Sequence, residues 1–240
     1  MLSNDRRTKL FPKILAGQLS VGLVVVIISL SAIFYAYGYR LNYSNLKIVK
    51  TGIASFNFTP KDASLYIDNK FQKGKNSIVI NLLPARYHFA IKKDGYADWN
   101  RTIELASGSV TVFDNIVLFK NPITTSALTD QHKIDLLNSP TDILATQSAN
   151  EVTADGYEIW AGNNLVTRFS SPIGKVAWYP DSSHIIFQQG NEIRVIEIDG
   201  MNDTLLVTLT DNKPANFAVG SGGKELYFTD NGQYKVAEIR

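Results

Sequence analysis

Asp181, Ser182, Ser183 and His184 bring the residue types of a hydrolytic triad together within four consecutive positions. Nucleophile, base and orienter must aim at one another, and adjacent residues on a turn entering a strand point in diverging directions, so this group reads as a turn. His88, His132 and His184 fall on separate segments, without His-x-x-x-His spacing or an acidic cluster at ligand spacing. A zinc site therefore has little support, and each histidine is expected at the surface or on an edge strand. Gly220-Ser221-Gly222-Gly223 lacks the Lys-Ser/Thr ending of a phosphate loop and any helix pattern after it, is no nucleophile elbow, and reads as a flexible hairpin. The sequence has no cysteine, which excludes thiol catalysis, Cys-ligated metals and disulfides. No catalytic, metal or cofactor-binding residue is expected, and the chain is not read as an enzyme. Convergent perturbed carboxylates in a pocket would revive that reading.

Binding chemistry rests on aromatics, whose faces stack on sugars and anchor protein interfaces. Trp160 and Trp178 read as core residues. Trp99, soon after Gly95-Tyr96, is the best candidate for an exposed face, with Tyr96 beside it, and packing at the domain edge is its competing role. Lys92-Lys93 and Lys73 to Lys75 are too small to be more than solvated turns. The Asn42-Tyr43-Ser44, Asn57-Phe58-Thr59 and Asn100-Arg101-Thr102 sequons matter only in a cell with glycosylation machinery.

The elements that position these residues begin with the distribution of charge. The 240 residues carry 24 Lys+Arg and 22 Asp+Glu, but residues 1–50 hold seven Lys/Arg and one acid, leaving 17 basic and 21 acidic residues for 51–240. A mildly acidic main body argues against nucleic acid as a partner. From Ile14 to Tyr39 there are 26 residues without a charge, centred on the Val/Ile/Leu-rich Val21–Leu30. At about 1.5 Å per residue such a run crosses a hydrocarbon core of about 30 Å with some tilt. β-branched residues disfavour helix in water, but in lipid a helix satisfies every backbone group within one segment. Tyr35, Tyr37 and Tyr39 fall where an aromatic belt belongs. The run exceeds the core of a cleavable signal peptide and offers only Ser29-Leu30-Ser31 as an exit, so an uncleaved signal anchor is expected ahead of a cleaved signal or a buried helix. Arg6, Arg7, Lys9 and Lys13 precede the span and Arg40, Lys47 and Lys50 follow it. The short tail 1–13 is accordingly placed in the cytoplasm, the helix at 14–39, and a linker at 40–50 leading to extracytoplasmic domains.

Residues 51–120 read as all β. Apolar stretches recur at Ile53 to Phe58, Leu65 to Ile67, Ile78 to Leu83, Tyr87 to Ile91, Thr102 to Leu105 and Val110 to Leu118, with turn signals such as Asp68-Asn69 and Asp94-Gly95 between them. Pro60-Lys61-Asp62-Ala63, then Leu65-Tyr66-Ile67-Asp68-Asn69-Lys70, Leu83-Pro84-Ala85-Arg86-Tyr87 and Lys93-Asp94-Gly95-Tyr96 follow in the order of the PEGA domain, which this segment resembles. Pro60, Ala63, Pro84 and Gly95 are the motif positions retained. The departures are Lys61-Asp62 for Glu-Gly, Ala85 for a usual Gly, and Lys73-Gly74-Lys75-Asn76 for Gly-x-Thr-Pro. The resemblance implies a small extracytoplasmic β-sandwich with no catalytic residues to carry over.

Residues 121–240 look repetitive. Val176-Ala177-Trp178-Tyr179-Pro180-Asp181-Ser182-Ser183-His184-Ile185-Ile186-Phe187 reads as strand, turn and strand, and Asn216 to Phe228 as a degraded copy. Each leads through a glycine, Gly190 or Gly232, to another strand, and Gly156 precedes an earlier one. The spacings of 34 and 42 residues approach one four-stranded blade. Trp178-Tyr179-Pro180-Asp181 and Asp199-Gly200-Met201-Asn202 resemble the Trp-Ser-Pro-Asp-Gly and Asp-Gly-x-Asn turns of TolB-type β-propeller repeats. That likeness implies about three blades. Closed propellers use about four to eight, so a truncated propeller, an open stack, a ring closed by homo-oligomerisation or a different sandwich remain as alternatives.

The expected fold is thus mainly β: a single N-terminal transmembrane helix, a small PEGA-like β-sandwich at 51–120, and a partial β-propeller-like blade array at 121–240. The expected function is that of a membrane-anchored extracytoplasmic scaffold of the cell envelope, whose partners are an envelope protein or cell-wall glycan. The alternative is a surface ligand- or glycan-binding sensor module.

Overall fold

The N-terminal helix carries a long apolar stretch that the rest of the described chain leaves uncovered. A computed structural model describes residues 5–43, 46–72, 77–138 and 151–240. Residues 1–4 of the expected tail, Ser44 of the first sequon, Lys73-Gly74-Lys75-Asn76 and residues 139–150 of the expected repeat array lie outside them. Helix α1 runs Asp5–Ala36. Its stretch Ala16–Ala36 has a mean hydropathy of 2.4 and is wholly unburied. The Ser20 and Ser31 hydroxyls donate back to the carbonyls of Gly17 and Ile27, both at 2.8 Å, which keeps these polar groups satisfied within the helix, as an apolar surrounding demands. Gly38, at φ +83°, ends the helix in the left-handed conformation favoured at this position.

The chain divides into two compact units, and β-strands pass from one to the other. The first comprises Met1–Ser55, Val79–Tyr87 and Ile103–Val112, and the second Phe56–Ile78, His88–Thr102 and Phe113–Arg240. In the first unit, strands β1 (Tyr39–Asn42) and β2 (Lys47–Lys50) pair antiparallel, from Tyr39 opposite Lys50 to Asn42 opposite Lys47. The linker expected at 40–50 is therefore a hairpin, its two short strands defined by their pairing with each other. Its base is closed by the Thr51 amide and hydroxyl, which both donate to the Gly38 carbonyl, at 2.9 and 3.0 Å. Gly52 is required next to it: a Cβ there would lie 2.6 Å from Leu105 Cγ and 2.7 Å from the Ala106 carbonyl.

The next strands are β3 (Gly52–Thr59), β4 (Ser64–Ile67), β5 (Lys70–Gln72), β6 (Ser77–Leu82), β7 (Ala85–Lys92), β8 (Trp99–Leu105) and β9 (Val110–Val117). They form one sheet of order β6-β3-β9 and another of order β5-β4-β7-β8. All six apolar stretches expected in this region are strands; β5, too short and polar to carry a pattern, is the addition. Within the second unit Phe56 stacks on Phe113 at 5.0 Å and tilts against Phe89 at 4.9 Å, giving this part an aromatic core.

A short strand β10 (Thr125–Ala127) and helix α2 (Gln131–Asn138) follow. Asp130 caps α2 by accepting the His132 amide at 3.0 Å, and Leu137 packs with Leu128 and Tyr227. Then come β11 (Val152–Asp155), β12 (Glu158–Ala161), β13 (Asn164–Arg168), β14 (Ile173–Trp178), β15 (His184–Gln189), β16 (Glu192–Glu197), β17 (Thr204–Thr208), β18 (Phe217–Val219), β19 (Glu225–Asp230) and β20 (Gln233–Glu238). They make three antiparallel sheets, β11-β12-β13, β14-β15-β16-β17 and β18-β19-β20-β10. Gly156, Gly190 and Gly232 each adopt positive φ in a hairpin turn, β11–β12, β15–β16 and β19–β20. No closed barrel or propeller is formed among the described residues. The last strand of the third sheet comes from β10, so β20 is flanked on both sides. One core, running from Val117 and Phe119 through Tyr179, Ile186 and Leu206 to Phe228 and Ile239, joins the end of β9 to two of these sheets. The fold is mainly β with a single apolar N-terminal helix.

Candidate functional site

Four motif positions converge on one polar cluster in the second unit, and they are joined by residues that carry no motif. On β8, Trp99 and Arg101 share a face, as alternation along a strand dictates. The Trp99 indole N–H donates to Glu197 Oε1 at 2.5 Å. Arg101 donates one terminal nitrogen to Glu197 Oε2 and the other to Asp199 at 2.5 Å. Asn202, at φ +52° in the β16–β17 turn, accepts the Asn100 amide at 3.0 Å and donates to Glu197 Oε1 at 3.2 Å. Gly200, at φ +79°, lets that turn approach β13: a Cβ would lie 2.6 Å from the Val166 carbonyl. The side chains of Arg101 and Glu197 are only 14% and 12% exposed. A charge pair so far out of water is weakly stabilising as a pair, and either partner left alone is strongly destabilising. The adjoining cavity, lined by Trp99, Phe119, His184, Glu197, Asn202 and Thr204, has a volume of about 10 Å³, room for about one water. This arrangement fixes a strand to a turn and holds no organic ligand.

Of the two roles open to Trp99, an exposed face or packing, that geometry selects packing. The residue is 3% exposed, with its ring edge-on to Phe113 at 5.6 Å, because an indole whose N–H has a carboxylate partner can be buried at no polar cost. Tyr96 is half-buried, with the Lys93 ammonium 4.8 Å above its ring. Neither presents a free aromatic face. Trp178 is buried against Ile159, Ile185 and Phe187. Trp160 is only half-buried and donates to Glu158 at 2.9 Å, because the buried face of β12 belongs to its neighbours Ile159 and Ala161. Among the remaining motif positions, Pro60 accepts the Ala63 amide at 3.2 Å in a tight turn, with Ala63 buried; Gly95, at φ +79°, accepts the Asn121 amide at 2.9 Å; and Pro84, half-buried, precedes β7.

The second cluster is Asp181–His184, after Pro180. One Asp181 oxygen accepts the amides of Ser183 and His184, at 2.8 and 3.1 Å, and the other lies 2.7 Å from His184 Nδ1. His184 is 3% exposed, edge-on to Phe119 and Tyr179. It was expected at the surface or a sheet edge; it begins β15, an interior strand of its sheet, and the carboxylate is what permits its burial. Ser183 Oγ donates to the Asp181 main-chain carbonyl at 3.4 Å and accepts from Asn115 at 3.2 Å, so the hydroxyl is engaged in the turn. Asp and His stand here as in the orienting half of a triad, with no serine in line. Of the other histidines, His132 is exposed, and half-buried His88 lies 3.1 Å from the Thr102 hydroxyl.

The segment 220–223 is not a loose hairpin. Tyr179 donates its hydroxyl to the Gly223 carbonyl at 2.7 Å, and a Cβ on Gly223 would fall 2.2 Å from that oxygen. Burial, reinforced by the Asp181 charge against an opposing pull from Arg240, pushes the Tyr179 phenol up to about 12.

Two carboxylates meet in a depression of about 130 Å³, Asp211 and Asp230. Burial works to raise the Asp230 carboxyl, but hydrogen bonds from Lys235 (2.7 Å) and from the Thr210 amide and hydroxyl outweigh it and hold the group below its ordinary value. Asp211 is held low by its bonds with the Lys213 side chain and amide. A general acid requires the opposite shift, so both groups serve as fixed negative charges. A larger depression of about 260 Å³, beside Pro172, Ile173, Gln188 and Pro214, has no titratable group in its lining. Among the described residues no three His, Asp or Glu side chains converge as a metal site.

Arg101 and Glu197 were not legible as functional positions, whereas Asn202 was marked only as part of a turn. The one signal was an arginine on the same strand face as Trp99, Ile103 and Leu105, which a solvated face would not require. No protein-family model and no curated protein matches the chain.

Proposed function

We propose that the protein is a non-enzymatic, single-pass membrane-anchored scaffold of the cell envelope, with its tail in the cytoplasm and its β-domains outside, engaging another envelope protein. The observation that carries this reading is the helix Ala16–Ala36: twenty-one uncharged, predominantly apolar residues without a buried side chain, attached to a mainly β body. An apolar surface of that size is stable only when something apolar surrounds it. The sandwich strands fall where the PEGA-like pattern places them, and Gly156, Gly190 and Gly232 mark hairpins in three successive sheets, which supports a PEGA-like module followed by propeller-like repeats. The clusters at Trp99–Glu197 and Asp181–His184 are engaged within the second unit, which favours a load-bearing body over a reactive one.

The test uses the full chain in its native membrane. The sequence lacks cysteine, so Thr8→Cys and Tyr157→Cys each carry one thiol. An impermeant maleimide applied to intact cells is expected to label Tyr157→Cys and spare Thr8→Cys. Crosslinking from Tyr157→Cys is expected to recover one envelope protein, whether or not the cell wall has been digested. The reverse labelling pattern overturns the topology, and retention on cell-wall polysaccharide with no protein partner overturns the scaffold reading.

A further inference from the structure

The hairpin after the helix gathers most of its apolar side chains on one face. Tyr39 pairs with Lys50 and Leu41 with Ile48, so these four lie on one face of the ladder, and Arg40, Asn42, Lys47 and Val49 lie on the other. The first face is open, with Ile48 66% exposed and Tyr39 and Leu41 also exposed, and the flanking turn residues Tyr43 and Leu46 are 83% and 76% exposed. Among the described residues no third strand joins this sheet. Two strands of four residues with an uncovered apolar face are unstable alone in water.

The hairpin is nevertheless held firmly. Tyr39 packs edge-on against Phe34 of α1 at 5.5 Å, and the Arg40 guanidinium sits 3.4 Å over the Tyr35 ring while donating to the Tyr35 and Tyr39 carbonyls. Only Tyr37 and Gly38 separate α1 from β1, and Thr51 closes the base on Gly38. Charge points the same way: no Asp or Glu occurs between Arg6 and Lys61, so Arg40, Lys47 and Lys50 stand in a segment without acids.

We propose that the β1–β2 hairpin is a second membrane element, lying in the headgroup layer where α1 leaves the bilayer, with Tyr39, Leu41, Tyr43, Leu46 and Ile48 toward the acyl boundary and its basic residues among anionic lipid headgroups. The proposal rests on the anchor reading of α1. What it adds is the occupant of the apolar face, a lipid surface, fixed by continuity with the helix and by the sign of the charge. The protein would then leave the membrane through a rigid foot instead of a tether.

Three single-cysteine variants of the full chain, Leu23→Cys, Ile48→Cys and Asn42→Cys, each carrying an NBD fluorophore, test this in phosphatidylcholine–phosphatidylglycerol vesicles. The Leu23 label should be quenched by a nitroxide at the acyl-chain centre. The Ile48 label should be quenched by a nitroxide near the headgroup about threefold more than the Asn42 label, and less strongly when phosphatidylglycerol is omitted. Equal quenching at Ile48 and Asn42, weak or strong, with Leu23 deep, overturns the hairpin proposal and leaves the anchor standing. A Leu23 label that no nitroxide reaches overturns the anchor reading and the proposal with it. Quenching at Ile48 that ignores phosphatidylglycerol overturns the assignment to anionic headgroups.

Discussion

The β1–β2 hairpin of the first unit and the Trp99–Glu197 cluster of the second invert each other. The hairpin leaves tyrosines, leucine and isoleucine uncovered. The cluster takes an arginine, a glutamate and an indole N–H almost wholly out of water. Burial by residue type alone places both the other way round. The difference teaches that a polar group is buried when its partners are supplied, and that an apolar face stays open when its partner lies outside the chain.

The comparison breaks first if the buried cluster tolerates loss of a partner. Glu197→Ala removes the acceptor of Trp99, Arg101 and Asn202 at once and leaves the buried Arg101 guanidinium with only the half-exposed Asp199 as its charged partner, at a cost of up to about 3–5 kcal/mol. All three tryptophans lie in the second unit, so denaturant unfolding followed by tryptophan fluorescence reads this unit selectively. A loss under about 1 kcal/mol would mean that the cluster behaves as an ordinary surface pair. Gly200→Ala attacks the same junction through the backbone. A methyl at φ +79°, 2.6 Å from the Val166 carbonyl, should cost about 2 kcal/mol. Trp99→Ala, which would otherwise serve as a test of sugar stacking, now reports on stability before it reports on binding.

These residues also mark how far the sequence could be read. Strand existence was legible wherever short apolar stretches stood between turn signals, which covers six strands between residues 51 and 120 and the paired strands around Pro180 and Gly190. The strands after residue 51 that escaped, β5, β10, β11, β13 and β17, are short or polar and are defined by the neighbour that pairs with them, as β10 is by β20. Trp99 was read as the best candidate for an exposed face with packing as the competing role, and the packed role is the one it has. Its acceptor lies 98 positions away, and no local pattern encodes a contact that only the tertiary fold creates. His184 was misplaced for a related reason: its carboxylate partner was in plain view at Asp181, but read as turn chemistry alone. The hairpin at 39–50 was taken for a linker because its short strands, with Ile48 and Val49 adjacent and basic residues at both ends, carry no sustained alternation.

A smaller effect is expected from acid. Asp230 and Glu225 are both held below their ordinary carboxyl values: Asp230 by Lys235 and Thr210 against its burial, Glu225 by Lys133 and Tyr227. A carboxyl depressed in the folded state contributes stability that is complete above its unfolded value and is lost as pH falls through the folded one. Unfolding of the second unit should thus be insensitive to pH near neutrality and should weaken below about pH 4, the unfolded range of these groups. Asp230→Asn should flatten that decline while lowering the neutral plateau, since Lys235 then loses its charged partner. A profile as steep in the variant as in the parent would assign the acid sensitivity to other groups.

The smallest change in folding stability should come from the hairpin, and its smallness is what sharpens the comparison. Ile48→Ser on the open face removes no protein contact that burial would reveal, so unfolding of the second unit should shift by less than about 0.5 kcal/mol. The same substitution withdraws one apolar side chain from the lipid surface, where burying it is worth about 1–2 kcal/mol. A headgroup-level label on the hairpin should then lose a measurable part of its lipid quenching, while a label within the helix is unchanged. Folding and membrane contact are thereby read separately in one variant. If Ile48→Ser instead lowers the folding stability as much as Gly200→Ala does, the open face is covered by protein after all, and the inversion between the two regions disappears.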